Sequence, residues 1–280
     1  MPLPASICGR ESAAVLSGRL GIVLRMADQV LQDDPHRQVV RIGDTVRRPM
    51  HPWSPTIHEL LQHLESVGFP YAPRFLGIDA DGREVLTYLD GESGGAAWAK
   101  VVEDAGLLAM ARLLRDFHEA VRGFRPTATA GWAAHDGSFG ADELVCHGDF
   151  GPWNLVWRGL QPVGILDWDY AWPALAVHDV AYALEYVTPF RDDRMCIESL
   201  RYPTPPDRRR RMESFAGAYG LTTTAGLVDA VITQQHQVWL RARHLAAAGR
   251  QPQLAWQEAG VLDEVAKRID WSRTNRHLFE

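Results

Sequence analysis

The stretch from Val145 to Asp169 constrains this chain more than any other. It reads Val-Cys-His-Gly-Asp-Phe-Gly-Pro-Trp-Asn-Leu-Val-Trp, then a turn around Gly159, then Pro-Val-Gly-Ile-Leu-Asp-Trp-Asp. Leu155–Trp157 and Val163–Leu166 are short apolar runs separated by turn residues, the pattern of a β-hairpin. A hairpin sets Asn154, just before its first strand, beside Asp167, at the end of its second. An amide oxygen and a carboxylate then converge, a hard, oxygen-only ligand set that suits Mg2+ better than zinc. Asp149 lies on the loop before Asn154 and reaches the same place. A carboxylate beside a metal-bound phosphate suits a base for a hydroxyl nucleophile.

The residues before this stretch read as a small α+β unit. Val39–Ile42 and Thr45–Arg48 flank Gly43-Asp44, a two-residue hairpin signal. Ser54 is expected to cap a helix with Pro55 in its first turn, and Thr56–Val67 places Ile57, Leu60, Leu61 and Leu64 on one stripe. Phe75–Ile78 and Glu84–Leu89 around Asp79–Gly82 predict a second hairpin. Ala13–Leu31 is compatible with a helix or a strand pair. After Gly91 the chain changes character. Leu107, Met110, Leu114, Phe117 and Val121 mark an amphipathic helix, Leu144–Cys146 a short strand, and the chain from Val177 onward reads mostly helical.

Composition excludes several classes. With 280 residues, 46% hydrophobic and 10 Trp, the chain has material for a substantial core. Its net charge of −6 argues against a nucleic-acid binder. No apolar run approaches the roughly 18 residues of a membrane span, and Met1–Ser12 lacks a signal-peptide pattern. Three cysteines without a CxxC pair fit a reducing cytoplasm. The run Arg208–Arg211 reads as the solvated first turn of a helix.

His147-Gly-Asp149-x-x-x-x-Asn154, followed by Ile165-Leu-Asp167-Trp, resembles the catalytic loop and metal-binding segment of the aminoglycoside phosphotransferase family, whose fold is similar to that of protein kinases. The likeness is strongest from Val145 to Glu185, including Asp179-Val-Ala-Tyr, and fair from Val39 to Gly91. It implies a two-lobed α+β fold: a nucleotide-side lobe over 1–89 with a small antiparallel sheet, and a mainly helical lobe over 90–280 carrying the catalytic loop and acceptor site. It implies Asp149 as catalytic base, His147 shaping the loop, Asn154 and Asp167 holding Mg2+ on ATP or GTP, and Asp179 tying the loop down. Thr87–Leu89 would offer backbone groups to the nucleotide base. Asp169 would face the acceptor. The implied partners are a nucleoside triphosphate and a small-molecule acceptor, with neither nucleic acid nor membrane, for a monomer or homodimer.

The sequence departs from that family in its first third. The family holds the phosphates with a Lys on the third strand, paired with a helix Glu, yet no Lys precedes Lys100. Arg47 or Arg48 must stand in, and strand alternation allows only one of them on the cleft face. Arg47 is preferred, with Glu59 as its partner. Asp33-Asp34-Pro35-His36 occupies the place of a Gly-rich loop. Beyond the loop, Asp169, Glu185, Asp192, Asp193 and Glu198 give an acidic tendency that suits an amine-bearing acceptor such as an aminoglycoside. Two other readings stand beside the kinase: a nucleotide-inactive binding or immunity-type protein, favoured by the missing Lys, and a metal-dependent hydrolase using His147, Asp149, Asp167, His178 and Asp179.

Overall fold

The computed structural model describes residues 29–32, 38–127, 131–133 and 138–280. The expectations placed on Ala13–Leu31 as far as residue 28, on residues 33–36 and on Cys8 lie outside them. Strands β1 (Gln29–Gln32), β2 (Val39–Ile42), β3 (Thr45–Pro49), β4 (Phe75–Ile78) and β5 (Arg83–Thr87) form an antiparallel sheet in the order β1-β2-β3-β5-β4. Both expected hairpins are present. The register sets Arg48 opposite Glu84 and Arg47 opposite Val85.

Helix α1 (Ser54–Ser66) crosses between β3 and β4 and buries Ile57, Leu60, Leu61 and Leu64. It starts earlier than expected. Ser54 does not cap it; its hydroxyl accepts a hydrogen bond from the N–H of His51 instead, and Trp53 takes the cap position. His58 on the buried face stacks on Phe75 at 3.7 Å, fastening the helix to the sheet.

Beyond β5 the chain is stitched to the hairpin it precedes. Glu92 and Trp157 exchange backbone hydrogen bonds of 2.9 and 2.8 Å. The approach requires Gly91, at φ +150°, because a Cβ there would lie 2.6 Å from Val156. The remainder comprises α2 (Ala97–Val102), α3 (Asp104–Ala120), β6 (Leu144–Cys146), β7 (Leu155–Arg158), β8 (Gln161–Ile165), β9 (Trp172–Ala174), α4 (Val177–Val187), α5 (Asp193–Glu198), α6 (Arg208–Tyr219), α7 (Leu227–Ala247), α8 (Gln253–Glu258) and α9 (Val261–Thr274). Helix α3 buries its whole expected stripe, from Leu107 through Phe117, with Val121 just beyond its end. Each such side chain contributes about 1.5–3 kcal/mol of transfer free energy. The expected hairpin is β7–β8, with Leu155 opposite Ile165. Strand β9 was not expected. Trp172-Pro173-Ala174 has no alternation to read, and it is a strand because β6 supplies an antiparallel partner.

The arginine run is only half solvated. Arg208 donates to Pro189 O, Arg191 O and Asp193, and Arg211 to the carbonyls of Val187, Val102 and Val101. Both are buried, at i and i+3 on one helix face, while Arg210 pairs with Asp104 at 2.7 Å and Arg209 is exposed. The run staples α6 to the ends of α2 and α4. No helix among the described residues is long and apolar enough to cross a membrane.

Candidate active site

The loop after β6 hangs from one buried carboxylate. Asp179, in the first turn of α4, accepts the N–H of His147 (2.6 Å) on Oδ2 and the N–H of Gly148 (2.9 Å) on Oδ1, with His118 Nε2 3.2 Å away. Burial works against the charge of Asp179, yet the hydrogen bond and charge of His118, with His147 and His178 nearby, leave its pKa below the usual carboxylate value. Gly148 adopts φ +76°, and a Cβ would meet Tyr170 O at 2.1 Å, so the tight bend admits glycine alone. His147 is fully buried. Its Nδ1 accepts the Asp149 N–H at 3.3 Å and its Nε2 donates to Leu166 O at 2.9 Å. Burial holds its pKa below the usual histidine value, which keeps the neutral form these two bonds require. His147 therefore shapes the loop, as the resemblance implies, and both ring nitrogens are spent on that task.

The side chains of Asp149 and Asn154 meet. Asn154 Nδ2 donates to the backbone oxygen of Asp149 (3.0 Å) and to Oδ2 of its carboxylate (2.8 Å). Oδ1 of Asp149 accepts the hydroxyl of Tyr182 from α4. Burial, and the nearby Asp149 charge, raise the Tyr182 pKa well above its usual value, so the phenol stays protonated as a donor. The amide of Asn154 is thereby turned so that Oδ1 is its remaining coordinating atom. Its backbone oxygen accepts the N–H of Leu166 at 2.7 Å, placing Asn154 against the residue preceding Asp167. Asp167 sits in the left-handed region at φ 57°, ψ 66°. That conformation costs an ordinary residue about 1 kcal/mol or more and clusters at functional sites.

Trp168 then plunges into the core, packing on Phe117 and His147, and Asp169 turns toward the sheet. There Arg48 meets it, with Nη2 3.0 Å from Oδ1 and Nη1 3.4 Å from Oδ2. Arg48 Nε donates to the buried Glu84 on β5, whose second oxygen lies 2.7 Å from His58 Nε2. Burial disfavours the guanidinium charge, but Asp169, Glu84 and Asp167 outweigh it and raise the Arg48 pKa. Asp167 is thus close enough to act on Arg48 electrostatically.

Several expected placements differ. Arg47 points to the other sheet face, where it binds Thr45 Oγ1 (2.6 Å) and faces Asp79 at 3.6 Å; the cleft face belongs to Arg48. Glu59 does not pair with Arg47: it accepts the N–H and hydroxyl of Thr127 at 2.6 and 2.8 Å. Glu185 is buried between Arg268 (3.0 Å) and Arg191 (3.8 Å), and Asp169 is likewise buried against Arg48, so both carboxylates are engaged in internal ion pairs. The Thr87 N–H is spent on Arg74 O (3.0 Å) and the Tyr88 N–H on Asp44 O (2.8 Å), which leaves Leu89 to offer backbone groups. Two members of the hydrolase set are spent on the fold: Asp179 holds the backbone of His147 and Gly148, and the His147 ring binds Leu166 O and the Asp149 N–H. Tyr182, Glu84 and His58 escaped the sequence reading. Tyr182 stands one helical turn after Asp179, and Glu84 lies opposite Arg48 once both hairpins are aligned, so the signals were present.

Comparison with known proteins agrees with this geometry. Residues 127–215 match the model of the phosphotransferase enzyme family. The trifolitoxin immunity protein of Rhizobium leguminosarum bv. trifolii is 33% identical over 202 residues, covering 70% of this chain and 76% of that protein. Among solved structures, the aminoglycoside 2'-phosphotransferase-IIIa complex with GDP superposes with TM-score 0.54 at 14% identity, over 91% of this chain and 94% of that one. An amicoumacin kinase solved with AMP-PNP and Ca2+ gives TM-score 0.59 at 12% identity, over 89% and 88%. A choline/ethanolamine kinase family protein from Mesorhizobium loti gives 0.54 at 14%, over 90% and 95%. These likenesses establish the kinase-like fold, an antiparallel sheet followed by a mainly helical remainder. The matched segment holds the whole loop from His147 to Asp169 together with its anchor Asp179, and the chain belongs to the phosphotransferase enzyme family.

Proposed function

We propose that this protein is a small-molecule kinase that moves the γ-phosphoryl group of ATP or GTP to an acceptor hydroxyl. The observation that carries the reading is the shared hydrogen bond of Asp149 and Asn154, which fixes a base and a metal ligand to one another beside Asp167. The acceptor oxygen forms a bond to the γ-phosphorus, the bond to the nucleoside diphosphate breaks, and the hydroxyl proton passes to the Asp149 carboxylate. Such a transition state asks the protein for position and charge more than covalent chemistry.

The residues present fit Mg2+. Asn154 Oδ1 accepts no hydrogen bond among the described residues, and a carboxylate adjoins it, a hard oxygen pair. Asn154 and Asp167 would hold the ion, which would supply positive charge to the nucleotide phosphates. Arg48 takes the role of the absent strand Lys, held by Glu84 in place of a helix Glu, and Leu89 offers its backbone to the nucleotide base. Titration calorimetry with ATP and with GTP, each with and without Mg2+, tests the reading. Mg-dependent binding that is lost in Asp167→Ala supports it, and metal-independent or absent binding refutes it.

Two observations favour a second reading, a binding or immunity-type protein without turnover. All three nitrogens of Arg48 are already engaged by Glu84 and Asp169, and a relative carries the immunity name. That reading predicts acceptor binding with no nucleotide consumption.

A further inference from the structure

Four of the five acidic side chains that suggested a cationic acceptor are neutralised within the chain. Asp169 is held by Arg48, Glu185 by Arg268 and Arg191, Asp193 by Arg208 (2.8 Å) and Glu198 by Arg194 (3.0 Å), while Asp192 caps α5 through the Met195 N–H. A wall whose carboxylates, Asp192 apart, are matched to guanidinium groups attracts a polyamine weakly.

The opposite charge does stand beside the loop. Arg241, on α7, has no carboxylate partner and no hydrogen bond among the described residues, although it is largely shielded from solvent. Its guanidinium lies over the ring of Trp172 at 5.3 Å. Trp172 in turn touches the catalytic loop, its Cδ1 3.1 Å from where a Cβ of Gly148 would sit. Arg241 is also near enough to Tyr182, the donor to Asp149, to feel its phenol, and near Tyr170. Burial lowers its pKa, the expected consequence of a cation lacking a counter-charge. Gln234 and Val238 precede it at helical spacing on the same face of α7. Val238 packs on the aromatic cluster of Tyr182 and Tyr186, and Gln234 is buried with Oε1 lacking a hydrogen-bond partner. Along one face of α7 stand an unmatched guanidinium, which reaches the partly open Trp172 beside the loop, and an unmatched amide oxygen, with Val238 between them on the cluster that contains Tyr182, the donor to Asp149.

We infer that the acceptor is an alcohol bearing an anionic group, a carboxylate or a phosphate, which Arg241 receives while Asp149 faces its hydroxyl. The inference rests on the kinase reading for the role of Asp149, though the anion site itself does not. A guanidinium stacked on an aromatic ring is preset as a fork for a carboxylate or phosphate, and an amine finds no free carboxylate at this place.

The test uses the full chain with Mg2+ and AMP-PNP, titrated calorimetrically with matched probes: glycerate, glycerol 3-phosphate, glycerol, 3-amino-1,2-propanediol and kanamycin. The expected result is that an anionic probe binds at least tenfold more tightly than glycerol and the amines, and comparing glycerate with glycerol 3-phosphate tells carboxylate from phosphate. Arg241→Gln should erase that preference and Arg241→Glu should reverse it, both with an unchanged circular dichroism spectrum and melting curve. Tighter binding of the amine or kanamycin overturns the inference, as does failure of both anionic probes to bind or an anion affinity untouched in Arg241→Gln. If AMP-PNP itself does not bind but the Arg241-dependent anion affinity is present, the kinase reading falls and the anion site stands.

Discussion

The hydroxyl of Tyr182 donates to one carboxylate oxygen of Asp149 while the amide of Asn154 donates to the other. The carboxylate is clamped from two sides by groups that approach from different elements, and its rotation about χ2 is blocked. A hydrogen bond to a charged group contributes about 1.5–3 kcal/mol. Tyr182→Phe is expected to lower kcat by about 10–100-fold, with Mg-nucleotide affinity within twofold of the parent. Steady-state kinetics read beside calorimetry check this, and an unchanged kcat would show that the clamp does not matter to transfer.

Asp149→Ala should abolish acceptor phosphorylation and leave folding and Mg-nucleotide binding nearly intact. Because Asn154 Nδ2 would lose its acceptor on Oδ2, the metal-dependent part of the affinity is expected to shift by less than tenfold. Near-normal turnover in this variant would remove Asp149 from the role of base.

Arg48 joins the sheet to the segment that follows Asp167. Arg48→Ala strands two buried carboxylates, Glu84 and Asp169, and is expected to cost about 3–5 kcal/mol in urea denaturation. Arg47→Ala, whose neighbour Asp79 is less buried than Glu84 and Asp169 and lies at 3.6 Å, should cost less than about 1 kcal/mol. Equal losses for the two would mean that the buried pairings are not what holds this junction.

Acid should loosen the loop anchor. The Asp179 pKa is depressed on folding, so its contribution is full above the unfolded carboxylate value and is lost as pH falls through the lower folded value. The His147 pKa is also depressed, so its contribution is full above the unfolded histidine value and declines as pH falls below it. Stability measured by urea melts should therefore fall steadily on acidification from neutral pH, beginning in the histidine range. Asp179→Asn should flatten the carboxylate part of that profile and cost about 3 kcal/mol at pH 7. A parent profile flat from pH 7 to about 4 would contradict the buried neutral His147, and one flat below about pH 4 would contradict the Asp179 anchor.

Much of the site was legible because it is local. The hairpin β7–β8, with Asn154 and Asp167 at its open end, follows from apolar runs and one turn, and the loop spacing named the family. What stayed hidden was decided at long range. Whether Arg47 or Arg48 faces inward depends on which side of the sheet α1 covers, and two adjacent arginines on one strand look alike without that. Glu185 reads as a free acid until Arg268, far along the chain, is folded against it. Arg208 and Arg211 read as surface charge because carbonyl acceptors leave no trace in side-chain pattern. Strand β9 exists only because β6 is there to pair with it.

Asp179 and Tyr182 lie three positions apart on α4, one turn of a single rigid rod. The first holds the backbone of the loop and the second holds its carboxylate, so α4 works as a jig that sets both bends of the loop at once. A small slide of the helix moves backbone and carboxylate together and preserves their relation. A one-residue insertion between them would swing Tyr182 about 100° around the axis and separate the two. Drift in this part of the chain is therefore tolerable in composition but not in length, and any partner that pushes on α4 addresses the whole loop through one lever.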